Sequence, residues 1–504
     1  MIYLLKKKIK DLLKVIYLDV NEKFFIQKNK LNIKKFDKKK KNIFIEINEE
    51  YYYLIYYKYL IKSGKLNKFN IIGIWTRTQH TLKKSKFLEP LIIIYYFIFN
   101  FFEKRKFYRL YRSIGVTKFL DLNDLSFSFF NKEKINLNKK KDIYKIKYKK
   151  INVGDLIYDT YLRYRSFPTM RIKDYYLNFV YSKICKIYNN LEIFKSKYKP
   201  KFYFANSSAY VAHGFPYRYF LKKKIPVICG RTANSFNRLM SMDNFQSFYD
   251  FENYKLNFKK LNNRNEKIKQ SKINLSNRFL GSNFFQKDAQ YMQVDPYSKN
   301  TKFYFPKKKF KQKKIKGVLF LQDFFDAPAA WGQNVFEDYY KWTLYTLMII
   351  RKYKLPIAIK PHPNASYFYT DTVKYTNKLK KKYSDLVWLH PKTSNKIIFS
   401  NINFGISATG SILFELAYHK IKSISCGRHP AEKFNFSINA KDKNEYKNLL
   451  INSNKIKKTK YLIKDLHIFN YMHYLNDENL FDLEIKFNEF KKTNFLKSSC
   501  LKKN

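Results

Sequence analysis

The sequence predicts an α/β protein with two Rossmann-like domains, on three observations. The chain has 504 residues, beyond the length that one hydrophobic core usually serves, which favours two domains. Apolar residues make up 45% of it and aromatic residues 19%, which is enough to build packed cores. Short apolar runs that end at turn residues alternate with longer stretches of helical period, which is typical of βα units around a parallel sheet.

The first half contains three predicted strands, at 69–76, 201–208 and 225–230. Between the last two, residues 209–224 are predicted to form a helix that begins after a Ser-rich turn. This helix ends in lysines, which suit the negative end of a helix dipole. The order of strand, helix and strand is that of a βαβ unit.

The second half shows a clearer βα pattern, with helices predicted at 334–353 and 411–419. Five apolar runs are predicted to be strands: 316–323, 355–363, 386–391, 402–407 and 422–427. This spacing predicts a doubly wound domain.

Composition sets the predicted domain boundaries. Residues 254–314 are rich in Lys, Asn and Ser and poor in long apolar runs, so they are predicted to be an irregular linker. This linker separates an N-terminal domain at 1–253 from a C-terminal domain at 315–465. The tail at 466–504 is predicted to be helical and to end in disorder.

The longest apolar run, the start of the chain and the cysteines indicate whether the protein crosses a membrane and in which compartment it is found. The run LIIIYYFIFNFF at 91–102 is shorter than the roughly 20 residues with which a helix crosses hydrocarbon. It is predicted to be a buried helix, with an interfacial or re-entrant segment as the alternative. The chain begins without the apolar core and cleavage site of a secretory signal, and its four cysteines show neither metal nor disulfide spacing. A cytoplasmic protein is expected.

The formal net charge is +62, from 101 Lys plus Arg against 39 Asp plus Glu. A charge of this size suits a polyanionic partner such as a nucleic acid or an anionic membrane face. The alternative is a codon-level drift toward A and T, which enriches Lys, Asn, Ile, Phe and Tyr without selection for a partner. The charge is spread in short runs such as 34–42 and 305–316, which favours the drift. No specific nucleic-acid partner is expected.

Small hydroxyl residues follow the predicted strand at 402–407, where Ser407, Thr409, Gly410 and Ser411 precede an apolar-periodic helix. At a helix N-terminus, free backbone N–H groups and the helix dipole bind anions, and a glycine allows close approach. A single N-cap is the alternative for any one of these residues. Three hydroxyls with a glycine favour a phosphate site.

A second polar cluster follows the strand in IAIKPHP at 357–363. Its prolines end the strand and present His362 at the carboxyl edge of the sheet, where ligands bind in open α/β sheets. Lys360 and His362 together can supply charge-assisted hydrogen bonds to a diphosphate. The second His-Pro pair, in WLHP at 388–391, is interpreted as a turn that ends a strand.

Candidates for proton transfer lie in both halves of the chain. Asp323 follows a predicted strand and is either a catalytic base or a turn residue. His213, in Ala-His-Gly, is either a general base for an acceptor hydroxyl or a packed helix residue. Asp155 and Arg163 are candidates for holding an acceptor.

Three nucleotide-related motifs are missing from the sequence. There is no Walker-type P-loop and no convincing Gly-x-Gly-x-x-Gly, which disfavours nucleotide hydrolysis and dinucleotide redox chemistry. There is also no Asp-x-Asp, the carboxylate pair with which transferases commonly hold a divalent metal. No metal and no other cofactor is therefore expected.

The set of motifs resembles the capsule polysaccharide biosynthesis family of bacterial glycosyltransferases and, more distantly, the glycerophosphotransferases that build teichoic acids. The resemblance rests on five segments: GDLIYDTYLR (154–163), AYVAHGFPYRY (209–219), FLQDFFDAP (320–328), KPHP (360–363) and SATGSILFE (407–415). Related sequences tend to carry a histidine where this chain has Gln322, so this position departs from the family pattern.

The resemblance implies a GT-B-type fold, in which two Rossmann-like domains face each other and transfer needs no metal. It implies that the second domain binds a nucleotide-activated sugar through Lys360, His362 and the 407–411 segment. Glu415 would lie near the ribose or the sugar. The resemblance also makes His213 a catalytic candidate.

The sequence therefore predicts a glycosyltransferase at the inner membrane face that moves a sugar from a nucleotide-activated donor to a growing capsular or other cell-surface polysaccharide or glycolipid. The predicted partners are the nucleotide sugar, the glycan acceptor and an anionic membrane surface. Two alternatives stay open. One is transfer of a polyol phosphate from a CDP-activated donor, which uses the same anion site. The other is non-catalytic binding of nucleic acid, which the charge and the aromatic residues favour.

Overall fold

The protein is described from a computed structural model that forms two compact units. Unit 1 takes its described residues from 1–165 and 172–248, and unit 2 takes them from 166–171 and 249–476. The structure describes residues 9, 11–29, 35–62, 64, 66–76, 89–122, 135–230, 237–239, 251–280, 294–297, 304–330, 332, 334–367, 370–455 and 461–476.

Unit 1 is built on a six-stranded sheet of order β3-β2-β1-β6-β7-β8. Its strands are β1 (Lys41–Ile47), β2 (Phe69–Trp75), β3 (Lys118–Asp121), β6 (Tyr203–Ala205), β7 (Val227–Gly230) and β8 (Asn237–Leu239). Neighbouring strands are parallel except for β7 and β8, which are antiparallel. A short antiparallel pair, β4 (Lys147–Tyr148) and β5 (Ile151–Asn152), forms a separate ladder.

Helices connect the strands of unit 1. They are α1 (Val20–Asn29), α2 (Tyr51–Lys62), α3 (Glu89–Ser113), α4 (Gly154–Tyr164), α5 (Tyr175–Tyr198) and α6 (Phe215–Lys222), with a 3₁₀ turn at Lys140–Lys145 and a π turn at Tyr210–Gly214. The central strand β1 is buried on both faces from Ile43 to Ile47, as is usual for parallel strands covered by helices.

Unit 2 contains a five-stranded sheet of order β10-β9-β11-β12-β13. Its strands are all parallel: β9 (Gly317–Phe320), β10 (Ile357–Lys360), β11 (Phe404–Ile406), β12 (Lys422–Ser425) and β13 (Ile438–Asn439). Since β9 lies between β10 and β11, the segments that follow these three strands emerge side by side at the carboxyl edge of the sheet.

The helices of unit 2 lie between and after its strands. They are α7 (Tyr254–Lys259), α8 (Arg264–Phe279), α9 (Lys307–Gln312), α10 (Tyr339–Lys352), α11 (Thr372–Lys382), α12 (Asn395–Phe399), α13 (Ile412–Tyr418), α14 (Lys443–Ile451) and α15 (Ile463–Asn470). Short 3₁₀ turns lie at Phe251–Asn253, Ala365–Tyr367 and Glu432–Phe434, and a π turn at Tyr471–Leu475 follows α15.

The predicted fold class is confirmed, because unit 1 has a mainly parallel sheet and unit 2 an all-parallel one, each with helical connections in the Rossmann-like manner. Strands form in all but one of the runs predicted from the sequence. The exception is 386–391, where Trp388 makes an isolated bridge to Ile359. The helix predicted at 209–224 begins as the π turn and continues as α6.

Two predictions of local structure differ from what the structure shows. The described part of segment 254–314 is not an irregular linker, since it carries α7, α8 and α9 within unit 2. In α8, the buried residues are Ser271, Leu275 and Phe279. So few apolar positions at helical spacing did not allow this helix to be predicted from the sequence. The run 91–102 is helical as predicted, but the side chains that the structure describes in it, at 94, 95 and 97–102, are exposed or half-buried, whereas the second half of α3 packs on the core.

Within the ranges given above, no helix combines the length and the apolarity that are needed to cross a bilayer.

Candidate functional site

In unit 1, polar side chains converge where β1, β2 and β6 end. Glu46 lies near the end of β1, Thr76 directly follows β2, and Asn206 directly follows β6. Thr76 Oγ1 donates a hydrogen bond to Glu46 Oε1 at 3.0 Å, and the Asn206 backbone N–H donates to Glu46 Oε2 at 2.6 Å. The Asn206 side-chain amide also donates to the Glu46 carbonyl at 3.2 Å. All three residues are buried, so the carboxylate is solvated by the protein.

The His213 imidazole completes this cluster. Its Nδ1 hydrogen-bonds to Glu46 Oε1, and its side chain is 20% exposed whereas that of Glu46 is 0% exposed. A carboxylate accepts hydrogen bonds, so the ring proton of a neutral His213 lies on Nδ1 and Nε2 carries the basic lone pair. A buried carboxylate that orients a partly exposed imidazole is the arrangement that general-base histidines use in other enzymes.

Local backbone geometry fixes the position of His213. It lies in the π turn Tyr210–Gly214, which opens with Tyr210 at a φ of 58°. The Val211 N–H donates to Thr160 Oγ1 of α4 at 2.9 Å. A Cβ on Gly214 would lie 2.4 Å from the Ser208 carbonyl oxygen, so glycine is required at this position. Single π turns recur at functional sites, and this one places the imidazole against Glu46.

Two tyrosines of α2 support Asn206 from the core side. Tyr53 donates its hydroxyl to the Asn206 carbonyl at 2.9 Å, and Tyr57 donates to Asn206 Oδ1 at 2.9 Å. Burial raises the pKa of Tyr57 well above its ordinary value, and the nearby Tyr56 and Glu46 add to the shift. Tyr57 therefore stays a neutral donor and holds the Asn206 amide in one orientation.

The predicted acceptor residues differ in their environments. Asp155 accepts two hydrogen bonds from Arg218, at 2.7 and 2.6 Å, and both side chains are almost completely buried. Arg218 also donates to the Asn152 carbonyl. This bidentate pair joins α4 to α6, which favours a structural role for Asp155. Arg163 lies near the end of α4 and is half-buried.

In unit 2, Gln322 and the segment from Ser407 to Ser411 meet at the carboxyl edge of the sheet. Gln322 Nε2 donates to Ser407 Oγ at 2.8 Å and to the Thr409 carbonyl at 2.9 Å. The Ser407 hydroxyl donates to the Thr409 carbonyl, and the Thr409 hydroxyl donates to the Arg428 carbonyl. These hydroxyls therefore shape the loop from inside the protein.

Gly410 and Ser411 are the exposed part of this loop. Gly410 has a φ of 103°, in the region that favours glycine, and a Cβ there would lie 3.4 Å from Gln322 Nε2. Both residues are exposed, and they come directly before α13. Of the predicted phosphate-binding residues in this loop, they are the ones that a solute can reach directly.

Lys360 is the last residue of β10 and His362 follows it, and β9 lies between β10 and the strand β11 that leads into this loop. Lys360 is 2% exposed, and its ammonium donates to Asn395 Oδ1. Burial lowers the pKa of Lys360 to about 7, against the opposing effect of Glu415. This lysine therefore changes charge near neutral pH, unlike a surface lysine.

The half-buried His362 is held in one tautomer by its own turn. The Asn364 backbone N–H donates to His362 Nδ1 at 3.2 Å, which leaves the ring proton of the neutral form on Nε2. Burial, together with the charge of Lys360, lowers the pKa of His362 to about 4. The imidazole is therefore a neutral N–H donor at pH 7. The charge-assisted hydrogen bond expected from His362 is replaced by a neutral one.

Glu415 and Asp323 are engaged by neighbouring side chains. The Glu415 carboxylate accepts hydrogen bonds from Arg278 and Tyr297 and is buried. Asp323 Oδ1 accepts from the Thr372 hydroxyl and from the Phe325 N–H. These contacts favour the turn interpretation of Asp323, whereas the roles predicted for both residues in ligand binding or catalysis stay predictions.

Sequence reasoning missed Glu46, Thr76, Asn206 and Asn395. The signal for Glu46 is a charged residue inside the apolar run IFIEI, which is unusual for a strand buried on both faces.

Among the described residues, no group of three or more His, Cys, Asp or Glu side chains is arranged to hold a metal ion.

No protein-family model matches the chain, and the search of curated proteins gave no match. Among solved structures, it is similar to the UDP-GlcNAc 2-epimerase of Methanocaldococcus jannaschii in complex with UDP-GlcNAc and UDP, at 11% identity and a TM-score of 0.28, over 85% of this chain and 97% of that chain. It is also similar to the UDP-GlcNAc 2-epimerase from Neisseria meningitidis bound to UDP-GlcNAc, at 12% identity and a TM-score of 0.26, over 86% of this chain and 97% of that chain.

With TM-scores below 0.5, these similarities carry no argument about the function of this chain, which rests on its own residues. The capsule polysaccharide biosynthesis family is not confirmed by the comparisons and stays a prediction.

The structural role of Asp155 can be tested by its stability effect. Asp155→Asn leaves Arg218 with an uncompensated buried charge, so the free energy of unfolding in urea should fall by about 3–5 kcal/mol. The control is Asp385→Asn, which removes an exposed partner of Arg351 and should have a much smaller effect. Equal losses in the two variants would contradict a structural role for Asp155.

Proposed function

We propose that the chain is a glycosyltransferase that moves a sugar from a nucleotide-activated donor to a cell-surface polysaccharide or glycolipid. The observation that carries the proposal is the hydrogen bond between His213 and Glu46 at the carboxyl edge of the parallel sheet in unit 1. Ligands of open α/β sheets bind at this edge. The proposal further places the donor in unit 2, at the corresponding edge.

In this proposal, His213 activates the acceptor. Its Nε2 takes the proton of an acceptor hydroxyl while that oxygen bonds to the anomeric carbon of the donor sugar. Glu46, hydrogen-bonded to Nδ1, stabilises the imidazolium that forms. The bond from the anomeric carbon to the diphosphate breaks and the nucleoside diphosphate departs with the electron pair. The proton on His213 is then released to solvent.

The donor diphosphate would be held without a metal. The His362 Nε2–H and the exposed backbone at Gly410 and Ser411 are donors for phosphate oxygens. The partly protonated Lys360 is buried at the end of β10 and adds positive charge near the phosphates. Negative charge develops on the departing diphosphate, and fixed donors of this kind stabilise it. The acceptor, membrane location and capsular product predicted from the sequence belong to the same proposal.

The first experiment is a binding panel of CMP, CDP, UDP, GDP and UDP-GlcNAc measured by thermal shift. A ligand at about a hundredfold its dissociation constant should stabilise the protein by about 2.7 kcal/mol. The shift should vanish in His362→Ala and persist in His390→Ala. His390 is a matched control because it lies in a second His-Pro turn of the same kind, where its Nδ1 accepts from the Lys392 N–H at 3.2 Å.

The panel also separates the rivals. A shift with cytidine nucleotides alone would support transfer of a polyol phosphate from a CDP-activated donor. If no nucleotide gives a thermal shift and the chain binds RNA in a salt-sensitive way that persists in His362→Ala, the proposed transferase function is contradicted. The result would then favour a nucleic-acid-binding protein.

The buried lysine predicts a pH dependence of donor binding. A nucleotide sugar has a diesterified diphosphate that does not titrate near neutrality, so a change in its affinity reports on the protein. Lys360 has a pKa of about 7, so it is charged below this pH and neutral above it. Affinity should fall on the order of tenfold from pH 6 to 8, since about 1.4 kcal/mol of lost attraction is a factor of ten. In Lys360→Met, the donor affinity measured by titration calorimetry should not change between pH 6 and 8. If the affinity of this variant falls with pH as in the wild type, Lys360 is not the group responsible.

The proton-transfer role predicts a specific kinetic defect. His213→Ala should lower turnover by about 10²–10⁴-fold, the usual contribution of a general base, and Glu46→Gln should lower it less. Neither variant should weaken nucleotide binding in unit 2. The assay is release of nucleoside diphosphate in the presence of a glycolipid acceptor fraction. Unchanged turnover in His213→Ala would remove the dyad from the mechanism.

A further inference from the structure

Helix α3 exposes an apolar face that the chemistry above does not use. The exposed fractions are 54% for Ile94, 46% for Phe97, 38% for Ile98 and 50% for Phe101. Their spacing of i, i+3, i+4 and i+7 places them on one side of the helix. Single exposed apolar residues are common, whereas a contiguous exposed group of large ones marks an interaction surface.

The same side of α3 continues into a row of arginines. Arg105, Arg109 and Arg112 are exposed, and they lie four, eight and eleven residues after Phe101, which keeps them on the same face. At 1.5 Å per residue, the centres of the apolar and arginine groups are roughly 17 Å apart along the helix. One face thus has an apolar half and a cationic half.

The other side of α3 anchors the helix to unit 1. Phe107, Leu110 and Tyr111 are buried in the core of the unit. The Lys106 ammonium pairs with the buried Glu22 of α1 and donates to the Lys14 carbonyl at 2.8 Å. Since the second half of α3 is held by core packing and a buried ion pair, its exposed face is a fixed feature of the unit.

A further exposed apolar series lies in the segment that Lys106 contacts. Ile9, Leu13, Tyr17 and Val20 are exposed, again at spacings of three and four residues. The N-terminal part of unit 1 therefore presents two apolar series to solvent, in a chain whose net charge is +62.

We propose that the face of α3 formed by Ile94, Phe97, Ile98, Phe101, Arg105, Arg109 and Arg112 docks the protein onto an anionic lipid surface. The apolar half enters the boundary between headgroups and acyl chains, and the arginines bind the lipid phosphates. This is the mode of an interfacial helix, which lies in the membrane surface and does not span it. The inference deepens the membrane location that belongs to the proposed function, but it does not depend on the sugar-transfer reaction.

The distribution of charge distinguishes lipid from a second copy of the chain. If two such faces paired in parallel, arginine would meet arginine; if they paired antiparallel, arginine would meet the apolar half. Neither pairing gives the arginines an anionic partner. A nucleic acid would neutralise the arginines but leave the apolar half in water. An anionic bilayer satisfies both halves, because basic residues near an anionic leaflet each gain about 1 kcal/mol and the hydrocarbon accepts the apolar side chains.

The test is co-sedimentation of the full chain with vesicles of phosphatidylcholine alone and of phosphatidylcholine with a quarter phosphatidylglycerol. The wild type should bind the anionic vesicles and keep part of this binding in high salt. Phe97→Ser with Phe101→Ser should weaken it at least tenfold. The matched control is Leu462→Ser with Ile463→Ser, which removes two apolar side chains of unit 2 that are more exposed than Phe97 and Phe101, and it should leave binding unchanged.

The arginines have a charge-matched control. Changing Arg105, Arg109 and Arg112 to Gln should weaken binding to anionic vesicles, whereas changing the exposed Lys307, Lys308 and Lys309 to Gln should have little effect. Equal losses in these two triple variants would mean that net charge alone drives adsorption, and would overturn the proposal.

Two other outcomes would also overturn the docking surface. One is vesicle binding that persists in the Phe97→Ser, Phe101→Ser variant. The other is a change from dimer to monomer in that variant by sedimentation velocity, which would assign the face to a second copy. The nucleotide-induced thermal shift is measured in every variant, so a failure of lipid docking is distinguishable from a failure of the proposed reaction.

Discussion

The buried carboxylate of Glu46 is the constraint on which the site in unit 1 depends. A carboxylate that is cut off from water has to find its hydrogen-bond donors inside the protein. Its donors are Thr76 after β2, the backbone of Asn206 after β6, and His213 in the π turn. The strand order places β1 between β2 and β6, so one side chain reaches all three segments. Its burial therefore fixes the imidazole of the candidate base.

The sequence singled out His213 as a candidate base but not the residues that hold it in place. The alternation of apolar runs and helical stretches gave the α/β class, and Ala-His-Gly marked His213. Nothing local reveals Glu46 as its partner, because the two are 167 residues apart. A charged residue in an apolar run is equally typical of a strand that exposes one face to solvent. It is recognisable as buried only once β1 is known to have parallel neighbours on both sides.

Unit 2 shows why residue type alone cannot assign ligand-binding roles. Lys360 and Glu415 have the chemistry to bind a nucleotide, yet their charges are engaged by Asn395, Arg278 and Tyr297. These partners come from separate segments, so the sequence gives no sign of the engagement. Buried polar groups satisfy one another first, so the proposed function assigns direct contact with the ligand to the exposed loop and the half-buried imidazole. In that proposal the buried lysine contributes through its charge, which depends on pH because burial lowers its pKa to about 7.

For the basic charge and for the exposed face of α3, the composition of the chain and the positions of the residues also have to be considered separately. A codon drift toward A and T enriches Lys, Ile and Phe throughout the chain, so neither the net charge nor an isolated exposed Phe implies a partner. Drift can also produce the run at 91–102, which is apolar or aromatic at every position except Asn100. It does not account for the kind of cation, because the exposed cations that continue the α3 face are Arg105, Arg109 and Arg112 in a chain rich in lysine. Arginine forms paired hydrogen bonds to phosphate that lysine does not. This choice of cation, on the helix face that also exposes Ile94, Phe97, Ile98 and Phe101, favours a lipid headgroup as the partner.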